Sequence, residues 1–164
     1  MTWLRVFWFL GAPTLGAIAS DGDGVWFGVF DRAGCGQNGF ERRASREDFI
    51  LALHQRWSTG WRPTDVSHGN GEWLGVFTTS GCGENGFECR PTLEEFEVAN
   101  RQRWACGQHL IDVTSSPEGW FGVFQRTRDL PNGFEYRVGV LEFEAAIRER
   151  WRQGWHLTSA EVTF

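Results

Sequence analysis

One arrangement of apolar positions recurs along the chain. The segments Trp26-Phe27-Gly28-Val29-Phe30, Trp73-Leu74-Gly75-Val76-Phe77 and Trp120-Phe121-Gly122-Val123-Phe124 each set large apolar residues around a central glycine. β-Branched and aromatic residues in a short run predict a strand, and apolar character on both faces predicts cover on both sides. The mid-strand glycine predicts that something bulky comes close to the backbone. A Gly-rich stretch follows, residues 31–38 in the first case. It closes on Asn-Gly, which reads as a turn because both residues tolerate positive φ. Phe-Glu-x-Arg then predicts a second strand. Phe49, Ala52, Leu53 and Trp57 stand at i, i+3, i+4 and i+8, the apolar face of a helix. Ser45 with Asp48, and Thr92 with Glu95, have the spacing of N-terminal caps. Gly60, Gly107 and Gly154 stand where a left-handed C-terminal cap is expected. A last strand begins near Arg62.

The order strand, strand, helix, strand recurs with a period of 47 residues, marked by Trp26, Trp73 and Trp120. Three copies align without a gap: residues 24–70, 71–117 and 118–164. Fourteen positions are identical in all three, in the first copy Trp26, Gly28, Val29, Phe30, Asn38, Gly39, Phe40, Glu41, Arg43, Phe49, Ala52, Arg56, Trp57 and Gly60. Such a period is the signature of repeat architectures, whose units bury their apolar faces by stacking. The expected fold class is α+β, with three tandem β-β-α-β repeats in one domain. They would form one curved antiparallel, partly barrel-like sheet with the helices on one face, or alternatively a ring with pseudo-threefold symmetry. Residues 1–23 read as a truncated repeat, an N-terminal cap hairpin: Trp3-Leu4-Arg5-Val6-Phe7 matches the aromatic strand, and residues 14–20 fall in register with the last strand of a copy. A signal peptide over residues 1–19, with Arg5, an apolar run and Ala17-Ile18-Ala19, is the rival. The first reading favours the cytoplasm, the second export. No segment is long enough to span a membrane.

This layout resembles the Trp/Phe-rich bacterial tandem-repeat domains that accompany serine-hydrolase domains in polyglycine-hydrolase-type proteins. The likeness runs from Trp26 to Ala160 and includes a helix-to-Gly-aromatic step, Arg-Trp-x-x-Gly-Trp at residues 56–61. In that family the chemistry belongs to the attached hydrolase, and the repeats look like accessory or substrate-engaging modules. The resemblance therefore implies a non-catalytic role. No S-x-x-K motif occurs in the chain.

Composition narrows the function classes. Ten Trp and fourteen Phe against one Tyr argue for a packed core or an aromatic binding surface. A net charge of -5 argues against a nucleic-acid binder. Cys35, Cys82, Cys89 and Cys106 show no zinc-ligand spacing, so neither metal nor cofactor is expected. Asp21-Gly22-Asp23-Gly24 lacks the downstream glutamate of a calcium loop. His54, His68, His109, His156 and Asp129 form no recognisable catalytic spacing.

The polar residues common to all copies have two readings. Glu41, Glu88 and Glu135 with Arg43, Arg90 and Arg137 would make a thrice-repeated recognition pair. Alternatively, the glutamates pair with Arg56, Arg103 and Arg150 to dock helix onto sheet, and this second reading is favoured because a demand made in every copy serves each copy's own fold. The ligand-binding candidates are Arg43, Arg90, Arg137, Trp61, Trp155, Asn38, Asn85 and Asn132. Function is then read as a non-catalytic repeat module that engages a peptide or glycan-like ligand through its Gly-rich loops. A self-assembling protein, a homo-oligomer joined through open sheet edges, is the alternative, and a small hydrolase comes third.

Overall fold

The computed structural model describes residues 14–20, 26–31, 37–79, 84–126, 133–137 and 139–156, with only the strand path given for the first two stretches. The elements in chain order are β1 (Thr14–Ser20), β2 (Trp26–Asp31), β3 (Asn38–Arg43), α1 (Arg46–Ser58), β4 (Arg62–Gly69), β5 (Glu72–Thr78), β6 (Asn85–Arg90), α2 (Leu93–Ala105), β7 (Gln108–Ser116), β8 (Gly119–Arg126) and α3 (Val140–Arg152). The class is α+β. The chain divides into two compact units, Met1–Cys82 and Gly83–Phe164.

The one continuous, partly barrel-like sheet does not form. Among the described residues the strands make three antiparallel sheets, ordered β1-β2, β3-β5-β4 and β6-β8-β7. In each three-stranded sheet the centre strand uses both of its edges within its own sheet. The β4 edge carries Pro63, which cannot donate to a further ladder, and a break in register between Pro63 and Asp65. β1 accordingly lies against β4 without joining its sheet. The ring alternative turns on residues 157–164, which lie outside the described residues.

The centre strands come from an unexpected place. β5 opens the second sequence copy, yet it pairs with β3 and β4 of the first, with Glu41 opposite Gly75 and Val66 opposite Gly75 on the other side. β8 opens the third copy and pairs in the same way with β6 and β7, with Glu88 and Val113 flanking Gly122. Each aromatic strand therefore completes the sheet of the copy before it. The hairpin turn that allows this is Asn70-Gly71, both residues at positive φ, 53° and 71°, the conformation that suits a right-twisted two-residue turn.

Helix signals in the sequence are obeyed at α1 and α2. Ser45 Oγ accepts from the Asp48 amide at 3.1 Å, and Thr92 Oγ1 from that of Glu95 at 3.2 Å. Gly60, Gly107 and Gly154 take φ of 88°, 75° and 84° just past the helix ends. α3 starts instead on Gly139, without a side-chain cap. Phe49, Ala52 and Leu53 of α1 are buried, as are Phe96, Ala99 and Asn100 of α2. They press on the centre strands, where the glycines are required by close approach. A Cβ on Gly75 would stand 2.7 Å from Phe49 Cζ, and one on Gly122 2.5 Å from Phe96 Cζ. In the second unit, Phe134 of the third copy packs on Trp104 of α2, ring centroids 6.2 Å apart. No described helix is long and apolar enough to cross a membrane.

Candidate functional site

The glutamate common to all copies is a docking residue. Glu41 and Glu88 sit on their strands directly opposite the mid-strand glycine, on the face that the helix covers, so a helix arginine can reach them, whereas Glu135 lies outside the described strands. Arg56 Nε donates to Glu41 Oε1 at 2.7 Å, Arg103 Nε to Glu88 Oε1 at 2.7 Å and Arg150 Nε to Glu135 Oε1 at 2.8 Å. The second carboxylate oxygen is taken by the arginine two residues further on: Arg43, Arg90 and Arg137 stand 2.7, 2.6 and 2.9 Å from it. Two residues apart on a strand, the glutamate and this arginine share a face. Both readings of the glutamates thus meet in one Arg-Glu-Arg arrangement. A half-buried helix arginine is held by a carboxylate and by the strand carbonyl of Phe40 or Phe87, at 3.3 and 3.1 Å.

Trp61 and Trp155 extend this arrangement. The Arg56 guanidinium lies 4.7 Å from the Trp61 ring centroid and that of Arg150 5.3 Å from the Trp155 ring. Trp61 also lies over Gly39, where a Cβ would be 3.1 Å from its ring. This revises the role of Asn38-Gly39. The pair does not form a turn but opens β3, paired with Thr78 and Phe77, and Gly39 makes room for the tryptophan. Asn85 holds the matching place in β6, opposite Gln125. Asn132 lies outside the described residues, as do Asp129, Cys35 and Cys82.

The second copy departs at this point. Gln108 replaces the tryptophan, and its Oε1 accepts from Arg103 Nη1. A cleft of about 390 Å³ opens there, lined by Glu84, Glu88, Ala99, Gln102, Arg103, Cys106, Gln108 and Arg126. Its rim is an ion pair, Arg126 Nη2 to Glu84 Oε2 at 2.9 Å, with Arg126 also donating to the Cys106 carbonyl at 3.3 Å. Sequence reasoning passed over Gln108, Glu84 and Arg126 as site residues. The signal was present, since Gln108 breaks an otherwise aromatic position.

The stretches that lead into Asn-Gly, Gly-rich in the first two copies, meet this same end of each three-stranded sheet. The Gln37 amide donates to Thr79 Oγ1 at 2.9 Å, and the Thr79 amide returns to the Gln37 carbonyl at 3.0 Å. The stretch that ends the approach to β3 and the stretch that leaves β5 therefore start from adjoining residues. In the second unit the Arg126 amide donates to the Glu84 carbonyl at 2.8 Å, joining the corresponding stretches. Residues 32–36, 80–83 and 127–132 lie outside the described residues.

No protein-family model, curated protein or solved structure matches the chain.

The arrangement offers donors and acceptors side by side. Arginine and glutamine N–H groups and glutamate oxygens line one cleft. Both oxygens of Glu88 are engaged by guanidinium groups, so it stands there as an acceptor in a structural pair. His54 and His156 are exposed, whereas His68 lies 4.9 Å from the Trp73 ring and His109 meets the edge of Trp104 at 5.9 Å. Among the described residues no three His, Cys, Asp or Glu side chains are placed to hold a metal ion.

Proposed function

We propose that the chain is a non-catalytic binding module in which interlocked β-α-β-β units present a polar peptide or glycan-like ligand site at the loop end of each sheet. The observation that carries the reading is the pairing of Gln37 with Thr79 and of Glu84 with Arg126. Two loop stretches from successive copies start side by side there, in the second unit next to the cleft at Gln108. Residues common to all copies hold the framework, while the loop residues vary, as binding loops on a rigid scaffold do. The resemblance to Trp/Phe-rich accessory repeats points the same way.

The test is a screen of immobilised glycans and extended peptides, followed by calorimetry on each hit. Gln108→Trp restores the aromatic of the other two copies and fills the cleft; Arg126→Ala removes its rim. A ligand whose affinity falls at least tenfold (about 1.4 kcal/mol) in either variant, at unchanged melting temperature, supports the proposal. Hits that ignore both substitutions, or turnover of a ligand in place of binding, refute it.

A further inference from the structure

The position after each helix-ending glycine is tryptophan in the first and third copies and Gln108 in the second. The backbone that presents it is alike in all three. Gly60, Gly107 and Gly154 take φ of 88°, 75° and 84°, and their amides donate to the carbonyls of Trp57, Trp104 and Trp151 at 3.1, 2.9 and 3.0 Å. What the presented side chain meets is a guanidinium above a glycine. Trp61 lies 4.7 Å from Arg56 Cζ, and a Cβ on Gly39 would be 3.1 Å from its ring. Trp155 lies 5.3 Å from Arg150 Cζ, and a Cβ on Gly133 would be 3.5 Å from its ring. In the second copy the glycine is Gly86 and the guanidinium is that of Arg103, but this position brings them no ring. Gln108 Oε1 lies over Gly86 instead, 3.1 Å from where a Cβ would be, and the cleft of about 390 Å³ opens beside it.

Arg103 shows which chemistry this cleft can take. Its three guanidinium nitrogens already donate in the plane of the group: Nε to Glu88 Oε1 at 2.7 Å, Nη1 to Gln108 Oε1 and Nη2 to the Phe87 carbonyl at 3.1 Å. An anionic ligand would have to compete with these partners. The faces of the guanidinium differ between copies. Arg56 has two rings within reach, Trp61 at 4.7 Å and Phe77 at 5.9 Å. Arg103 has one among the described residues, Phe124 at 5.7 Å. A guanidinium whose edges are engaged takes a further group by stacking, and the group that stacks on it is an aromatic ring. At the rim, Arg126 and Glu84 carry more donors and acceptors than their own pair uses, which suits a peptide main chain.

We propose that the cleft receives an aromatic side chain of an extended peptide, stacked on Arg103 in the place that Trp61 and Trp155 fill in the other copies. This rests on the reading of the Gln108 cleft as a ligand site and narrows its ligand to a peptide that exposes a ring.

Proton–nitrogen NMR on the labelled full chain tests this by following the Arg103 Nε–H group. The probes are N-acetyl-Gly-Trp-Gly-amide, its Gly-Leu-Gly counterpart and 3-methylindole, each titrated to about 5 mM. The tryptophan peptide should move the Arg103 signal upfield by ring current and saturate, and the leucine peptide should bind about tenfold more weakly or worse. Gln108→Trp should show that upfield position with no peptide added and should lose the response to the tryptophan peptide. Should the variant lose its cooperative melt, the two peptides on the wild type decide. A leucine peptide that binds as tightly, or an Arg103 signal that the tryptophan peptide leaves unmoved, overturns the proposal. 3-Methylindole binding as tightly as the peptide overturns the peptide as carrier of the ring. If screened ligands still respond to Gln108→Trp while the tryptophan peptide does not bind, this inference fails and the binding-module reading stands; if no ligand responds, both fail.

Discussion

Placing an alanine at Gly75 tests how the helix meets the sheet. Its Cβ would stand 2.7 and 2.9 Å from Phe49 Cζ and Cε2, and 3.0 Å from Phe77 Cε2. Carbon atoms rest about 3.5 to 4.0 Å apart, so the Phe49 ring would have to retreat by roughly 1 Å. It has little freedom to do so, being fully buried and stacked on Trp73 at 5.7 Å. Its helix is also tied to the strand through Arg56 and Glu41. Overpacking of this kind costs about 1 to 3 kcal/mol, while replacing a strand glycine returns about 0.5 to 1 kcal/mol. The expected net loss is up to about 2.5 kcal/mol, or up to roughly 10 °C in melting temperature for a chain of this size. Gly75→Val adds two more methyl groups against the same ring and should unfold the unit. The decisive comparison is a cycle with Phe49→Leu, read by thermal and urea melts of all four proteins. If the clash is the cause, the double variant loses less than the sum of the singles, by about 0.5 kcal/mol or more. Additive losses, or a Gly75→Ala protein more stable than the wild type, would refute the packing argument.

Other perturbations reach other parts of the structure. Glu41→Gln removes the charge that holds both Arg56 and Arg43, in a position where the glutamate is 17% exposed. It should lower stability by about 1 to 2 kcal/mol in a urea melt, and an unaltered midpoint would count against the docking role. Asn100 is 2% exposed and its Nδ2 has no hydrogen-bond partner, whereas the first copy has the fully buried Leu53 in that place. Asn100→Leu should therefore stabilise the protein by about 1 to 3 kcal/mol, and a lower melting temperature would show that the amide does have a partner. Tyr136 is the chain's one tyrosine, and its hydrogen bond to Glu97 raises its pKa above the ordinary 10.0. Since the folded value is the higher one, any stability from this contact is present below pH 10 and is lost as pH rises through the raised midpoint. An ultraviolet titration should show that midpoint falling in Glu97→Gln; the same midpoint in both proteins would remove the contact from the account.

Local features of the fold were legible because their causes are local. Ser45 and Thr92 cap, and Gly60, Gly107 and Gly154 end their helices, through contacts made within a few residues. The Glu41–Arg56 pairing, 15 residues apart, was also legible, since a half-buried arginine calls for a carboxylate and only one is identical in all three copies. Strand pairing was not. A Gly-centred aromatic strand has the same pattern whichever neighbour it joins, so periodicity does not say that β5 belongs between β3 and β4. Asn38-Gly39 was misread because Asn-Gly fits a turn equally well, and the ring that demands Gly39 belongs to Trp61, across the helix. At the loop end, Gln108 was visible as the odd residue at an aromatic position. Its effect, a cleft beside Arg103, depends on Arg126 and Glu84 meeting across a sheet whose order the pattern left open.

Interlocking of successive copies underlies the adjoining loops, and strand pairing in solution tests it most directly. Cross-strand proton NOEs on uniformly labelled protein distinguish the two arrangements. The account predicts contacts between Phe40 and Val76 and between Phe87 and Val123, the pairs that face each other across β3-β5 and β6-β8. Contacts between Val76 and Phe87 in their place would mean that each aromatic strand folds back onto its own copy, and would contradict it.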